Sequence, residues 1–270
     1  ISPGAGTVSA GSMTGNVGSS VTVTGLLTGN ISVGTNSFGA VSATTVSGGT
    51  NSVGGAATIG TFSGGSTTVG GIAAFTTFTG GTANLNGATA TITTLNGGTI
   101  NLGATTLTVS AGTSAGTITG ASGNLIKSGP GLLDFSALGT FDYGGQTTIM
   151  DGILRLGADQ QLPATNSMSV SGGVLDLGGF DQTLGIVSLT GGGIGNGRLN
   201  GLHFALEDGY VMAVMEGAGS VTKSSGGTVT LTAANTYGGG TTIDAGTLIV
   251  THDNGLGTGP VVINGGTLVV

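Results

Sequence analysis

Apolar residues return along the first part of the chain in fixed columns separated by polar and glycine-rich stretches. Val46, Phe62, Phe78 and Leu95 make one column, and Val53, Val69, Leu85 and Leu102 a second. Val41, Ala57, Ala73, Ala90 and Leu107 make a third, followed two residues later by Ala43, Ile59, Phe75, Ile92 and Val109. The i, i+2 relation within each repeat is the period of a strand with alternate side chains on one face, and no 3.6-residue period competes with it. Gly pairs punctuate the columns at Gly48-Gly49, Gly64-Gly65, Gly80-Gly81 and Gly97-Gly98, a near-constant interval that marks a repeat architecture. They supply the φ > 0 corners that a coiling chain needs, while Thr and Val favour the extended segments between them. A turn of roughly 16 residues at about 3.3 Å each has a perimeter of roughly 53 Å, enough for two or three short strands with their corners. Extended upstream, the same columns take in Val21, Val23, Leu26 and Val33, with a small loop insertion expected at Gly34 to Phe38.

One such turn buries too few side chains to offset the entropy of ordering its backbone. Stacked turns share ladder hydrogen bonds and core, so the pattern predicts a β-solenoid with parallel strands between consecutive turns. The expectation is a rod almost without helix, of roughly 14 to 17 turns and on the order of 65 to 80 Å long.

A longer repeat follows. GNLIKSGPGLLDFS at 123 to 136 matches GSVTKSSGGTVTLT at 219 to 232, so that Lys127 aligns with Lys223 and Gly131 with Gly227. TTIMDGILRL at 147 to 156 then matches TTIDAGTLIV at 241 to 250, and SGGVLDL at 171 to 177 matches NGGTLVV at 264 to 270. Three regions are thus expected: a charge-free short-turn solenoid at 1–121, a first repeat unit at 122–218, and a second, truncated unit at 219–270. Within the first unit, Asp208-Gly209 between two apolar runs predicts a hairpin-like excursion near 202–215.

The run GSVTKSSGGTVTLTAANTYGGGTTIDAGTLIV at 219 to 250, followed by LGTGPVVINGGTLVV at 256 to 270, resembles the autotransporter-associated β-strand repeat of bacterial passenger domains. The Lys-Ser-x-Gly, Asn-Thr-Tyr-x-Gly-Gly-Thr-Thr-Ile and Gly-Thr-Leu elements carry the likeness. The copy at 123 to 177 is weaker, with Gly139-Thr140-Phe141-Asp142-Tyr143 in place of Asn-Thr-Tyr. The resemblance implies an all-β fold, a right-handed parallel β-helix on or released from a Gram-negative-type cell, and no catalytic residues.

Composition removes several alternatives. Gly is 60 of 270 without a Gly-X-Y period, which excludes collagen, and 37% hydrophobic residues with 6% charged residues argue for a folded chain. The net charge of −7 leaves no basic patch for nucleic acid, and the absence of Cys removes disulfides and thiolate metal sites. No apolar stretch long enough to cross a membrane is present. The first ionisable side chain is Lys127, so residues 1 to 126 lack the like-charge repulsion that keeps copies apart. The apolar end NGGTLVV, and a start, ISPGAG, with only Pro3 as an edge blocker, suggest partners in other copies of the chain or in the rest of a longer parent. Surface glycans and host or cell receptors are the further partners such a module would meet.

The chemistry offered by the side chains is thin. A lyase or hydrolase built on a β-helix needs clustered carboxylates, and the acids here stand mostly in turn-like sequence. His203 near Glu207 and Asp208 would be a site only if it met a carboxylate, and His252 reads as a loop residue. Asp253-Asn254-Gly255 and Asp151-Gly152 offer oxygen ligands for calcium without the regular spacing of a calcium repeat. Gly191-Gly192-Gly193 lacks the Lys-Ser/Thr and helix of a phosphate loop. Neither a cofactor nor a metal site is therefore expected. The residues expected to matter are the structural columns, Val46, Phe62, Phe78, Leu95, Val53, Val69, Leu85 and Leu102 with Ile59, Phe75 and Ile92. The expected role is a structural or adhesive surface rod for display, attachment or self-association. A carbohydrate-active enzyme is the alternative, and a flat ice-binding face of Thr67-Thr68, Thr76-Thr77 and Thr93-Thr94 is a third reading.

Overall fold

The computed structural model describes residues 8–10, 13–14, 21–87, 89–114, 116–137 and 139–270, with side chains described from residue 25 onward. The start of the chain with Pro3, and the side chains of Val21 and Val23, lie outside that set. Among the described residues every regular element is a strand, and the chain coils as a parallel β-solenoid of about 14 turns. It divides into two compact units, Ile1–Leu125 with Gly139–Tyr143, and Ile126–Leu138 with Gly144–Val270.

In the first unit, Thr35–Val46, Ala57–Phe62, Ala73–Phe78, Thr89–Leu95 and Thr106–Thr113 stack along one face. Thr50–Val53, Ser66–Val69, Thr82–Leu85, Thr99–Asn101, Thr117–Gly120 and Thr140–Tyr143 stack along another. Val46, Phe62, Phe78 and Leu95 pair in successive turns, each at 1% exposure or less. Val53, Val69 and Leu85 likewise pair and are buried, as are Leu102, Ile59, Phe75 and Ile92. A constant period puts like side chains one rung apart, which suits flat rings. Phe62 and Phe78 stack at 4.9 Å and 14°, and Phe75 meets both edge-on.

Upstream the columns differ from the expectation. Ile31 bridges to Val46, Phe38 pairs with Val53, and Leu27 pairs with Val41. Leu26 and Val33 are exposed. Gly34 to Phe38 holds no loop insertion, because residues 35 to 38 begin the strand Thr35–Val46 and Phe38 is buried. These pairings make the turn here shorter than its successors, where the expectation had it longer, so different strand side chains reach the core.

The second glycine of each pair makes the corner, with φ of 81° at Gly49, 76° at Gly65, 77° at Gly81 and 82° at Gly98. A Cβ on Gly65 would also lie 2.5 Å from the Gly48 carbonyl carbon, a backbone atom of the preceding turn that cannot yield. Gly65→Ala is therefore expected to cost about 2–4 kcal/mol, combining left-handed strain with the clash. The denaturation midpoint checks this, and a loss below about 0.5 kcal/mol would contradict the corner geometry.

The second unit repeats the design with turns that are longer on the whole, so that Lys223, for example, pairs with Ile243. One sheet stacks Thr147–Ile149, Met168–Val170, Asp181–Leu189, Arg198–Leu206, Ser220–Lys223, Thr241–Ile243 and Val261–Ile263. The other stacks Leu132–Asp134, Ile153–Arg155, Val174–Asp176, Gly193–Gly195, Gly209–Val211, Thr228–Leu231, Thr247–Val250 and Thr267–Val269. Asp208-Gly209 turns a corner of this coil and does not close a hairpin. Arg198–Leu206 pairs with the turns before and after it, and Gly209–Val211 does the same in the other sheet. Gly209, at φ 113°, redirects the chain from one sheet to the next, so the two apolar runs never face each other.

Candidate functional site

In an otherwise charge-poor chain, the two repeat lysines are wholly buried. Lys223 stands on the inward side of its strand, in the column Leu189, Leu206, Lys223, Ile243, Ile263. Its stem follows the aliphatic core and its ammonium turns to the corner, donating to the carbonyl oxygens of Ser225 and, one turn later, Ala245. Lys127 does the same, with Nζ 3.2 Å from Ser128 O, 2.7 Å from Gly129 O and 3.0 Å from Asp151 O. Each ammonium thus ties the corner of its own turn to the next. Gly152 and Gly246 stand in the left-handed region at φ 66° and 67°, and a Cβ there would collide first with the Gly131 and Ser225 carbonyl oxygens, which accounts for the glycine of Asp-Gly-Ile-Leu and Ala-Gly-Thr-Leu beside each ammonium. Desolvation lowers both lysine pKa values. Asp151 opposes the shift at Lys127, and Asp208 and Glu207 oppose it at Lys223. The alignment of Lys127 with Lys223 was visible in sequence, but their burial was not. Their binding to carbonyls of the next turn was not visible.

Other inward polar side chains serve the backbone in the same way. Asn235 donates to Gly255 O and accepts from Met215 N, while Gln182 accepts from Leu162 N and donates to Leu162 O. Tyr237, of the Asn-Thr-Tyr element, is buried with its hydroxyl 2.7 Å from Thr241 Oγ1. In the first unit Asn36, Asn51 and Thr67 form a buried ladder, Asn36 Nδ2 donating to Asn51 Oδ1 and Asn51 Nδ2 to Thr67 Oγ1. Thr67 is therefore inside, and the Thr67-Thr68 pair cannot present one flat face.

The acids are dispersed, and no group of three or more metal-binding His, Cys, Asp or Glu side chains occurs among the described residues. His203 Nδ1 lies 2.9 Å from Ser220 Oγ in place of a carboxylate, and Asp208 accepts from Thr228 N. His252 accepts from Asn254 N within its loop. Asp151 caps Gly152 N, and Asp244 accepts from Asn264 Nδ2. Arg198 bridges to Glu216 and, at 3.8 Å, to Asp181.

One outer strip departs from this scatter. Asp134, Arg155 and Asp176 stand in register on successive turns. Arg155 Nη2 lies 2.5 Å from Asp134 Oδ2, and this hydrogen bond, ahead of the backbone bond from Ser136 and the charge attraction, brings the Asp134 carboxyl down to about 2. A lowered carboxyl pKa stabilises the fold above the unfolded value of 3.8, and the contribution is lost as pH falls from 3.8 towards 2. Arg155→Met is expected to flatten the stability–pH curve in that window. Acid titration of the denaturation midpoint reads this out, and an unchanged slope would show that the pair does not govern Asp134.

Two segments, residues 125–156 and 221–250, match the passenger-associated-transport-repeat family. These are the two segments that carry the buried lysines at 127 and 223. The chain is also 35% identical over 162 residues to the adhesin BmaC autotransporter of Brucella suis biovar 1 (strain 1330). That alignment covers 52% of this chain and 5% of the relative, so the chain spans about a twentieth of that protein's length. No solved structure matches.

Proposed function

We propose that this chain, a β-solenoid carrying two passenger-associated-transport-repeats, is a rigid structural and adhesive module displayed outside a bacterial cell. The observation behind the reading is how the inward positions are used. Aliphatic columns, stacked rings, amide ladders and two lysine staples all stabilise the coil. Parallel ladders with a shared core resist bending and local opening, which suits a part that holds a surface away from its anchor. The adhesin named among its relatives supports a place at the surface, and the repeat units at 122–218 and 219–270 are the proposed building blocks. Contact with further solenoid turns or further copies, and with glycan or receptor surfaces, is the proposed mode of partnership.

Displayed on a non-adherent bacterium, the chain is expected to raise attachment to host-cell monolayers, or cell-to-cell clumping, above an unrelated solenoid of equal length. Equal behaviour of the two would reject the adhesive reading. A polysaccharide panel incubated with and without calcium is expected to yield no cleavage product, and product formation would favour the enzymatic alternative.

A further inference from the structure

On the outer face of the second unit, the turn carrying Gly193–Gly195 has no side chain at either of its two outward strand positions. Val174 and Asp176 pair with these glycines from the turn before, and Tyr210 pairs with Gly193 from the turn after. Met212 follows, its amide donating to Ile194 O. The Tyr210 ring covers Gly193 and Met212 leans over Gly195, so that both glycines are buried and the turn makes a low rung between two occupied ones. Ile153, Val174, Asp176, Gly195, Asn196 and Met212 line a cleft of about 210 Å³ there.

The two glycines differ in what the fold asks of them. A Cβ on Gly193 would lie 2.2 Å from the Tyr210 ring, so that glycine makes room for the tyrosine. Gly195 has no left-handed φ, and a Cβ on it would meet only Met212, nearest its terminal methyl at 3.2 Å, a flexible group that can move aside. No backbone atom of another turn lies within 4 Å of that Cβ, and Gly195 itself is buried, with the Met212 side chain lying over it at one side of the cleft. The apolar walls are also uncovered, Ile153 being 39% and Met212 53% exposed.

The cleft has one polar edge. Asp176 Oδ1 accepts from Gly178 N and from Asn196 Nδ2, and Asn196 is held in a left-handed conformation at φ 59° beside the cleft. The carboxylate thereby has its orientation fixed while its second oxygen takes no hydrogen bond from the described residues, and the edge offers acceptors to a ligand bearing hydroxyls. Asp176 opposes an anion, while the charge of Arg155, one rung away, is already paired with Asp134. Apolar flanks and an acceptor edge fit a ring with two C–H faces and a rim of hydroxyls. The volume suits one such ring, being below the usual range for drug-sized ligands.

We propose that this cleft is a binding subsite for a single neutral hexose unit of a surface polysaccharide, held between Val174 with Ile153 and Met212, with a hydroxyl donating to the free oxygen of Asp176. The proposal deepens the adhesive reading and rests on it. The test follows the methyl resonances of 13C-methyl-methionine in the intact chain during titration with methyl glucoside, methyl galactoside and methyl mannoside. Met212 is expected to shift saturably with at least one of them, with a dissociation constant on the order of 1–10 mM, while exposed Met150 stays still. Gly195→Val, which adds side-chain volume at the cleft without backbone strain, is expected to weaken binding at least about tenfold at an unchanged melting temperature, and Asp176→Asn to weaken it less. No Met212 shift with any of the three, a shift undiminished in a folded Gly195→Val chain, or a shift with n-butylammonium alone would overturn the assignment. Attachment of displaying cells that persists in Gly195→Val would leave the adhesive reading standing while the hexose subsite fails as its basis.

Discussion

Phe78→Asp is expected to unfold the first unit at room temperature. Phe78 is fully buried, stacked on Phe62 and edge-on to Phe75, and pairs with Leu95 on its other side. Removing a buried phenylalanine ring alone costs about 3–5 kcal/mol, and an ionised carboxylate in the same apolar column adds several more, or forces a proton uptake of similar cost. The sum reaches the whole stability of an ordinary domain. Hydrogen exchange across residues 57–95 is the direct readout. Phe78→Leu, which keeps the column apolar, should retain protection at a cost of roughly 1–2 kcal/mol. Native protection in Phe78→Asp would mean that the phenylalanines do not hold successive turns together.

Lys223→Met is the second large effect, expected to destabilise the second unit by about 2–4 kcal/mol. Replacing a buried ion pair by apolar groups is often neutral, because both charges leave together. Here the partners are the backbone carbonyls of Ser225 and Ala245, which no substitution removes, and each unpaired buried acceptor costs about 1–3 kcal/mol. The pH dependence separates this cause from simple packing. Burial lowers the Lys223 pKa below its usual 10.5, so between the lowered value and 10.5 the unfolded chain binds more protons than the folded one. Stability from this group therefore rises with pH through that window, and Lys223→Met should remove its share of the rise. Denaturation midpoints between pH 7 and about 10.5 test both statements, and a variant as stable as the parent at every pH would reject the staple. Lys127→Met should act in the same direction through Gly129 and Asp151.

What could be read from the chain alone was what repeats. A coil of parallel strands forces residues one turn apart into register. The near-constant interval between Gly pairs therefore already names which side chains stack, and Phe62, Phe78 and Leu95 follow from it. The repeat likewise aligned Lys127 with Lys223, but that both point inward was not read from it, because lysine on a strand is ordinarily a solvated residue. The upstream columns went astray at Leu26 and Val33 because the turn shortens there. A register set by counting shifts whenever one corner gains or loses a residue. Asp208-Gly209 misled for a related reason. Local sequence specifies a bend at Gly209, but whether the following strand pairs with the one before it or with the turn below is a long-range outcome.

Tertiary structure alone decided what the polar groups meet. The lysine ammoniums find carbonyls of the following turn, His203 finds Ser220 and no acid, and Asp134 finds Arg155 one rung later. The cleft beside Asp176 belongs to the same class, since it exists only where the glycine turn 193–195 falls between two turns that do carry side chains. The period of a solenoid is a property of the chain read in order. Its surface is a property of columns perpendicular to the chain, and those are assembled only when every turn has taken its place.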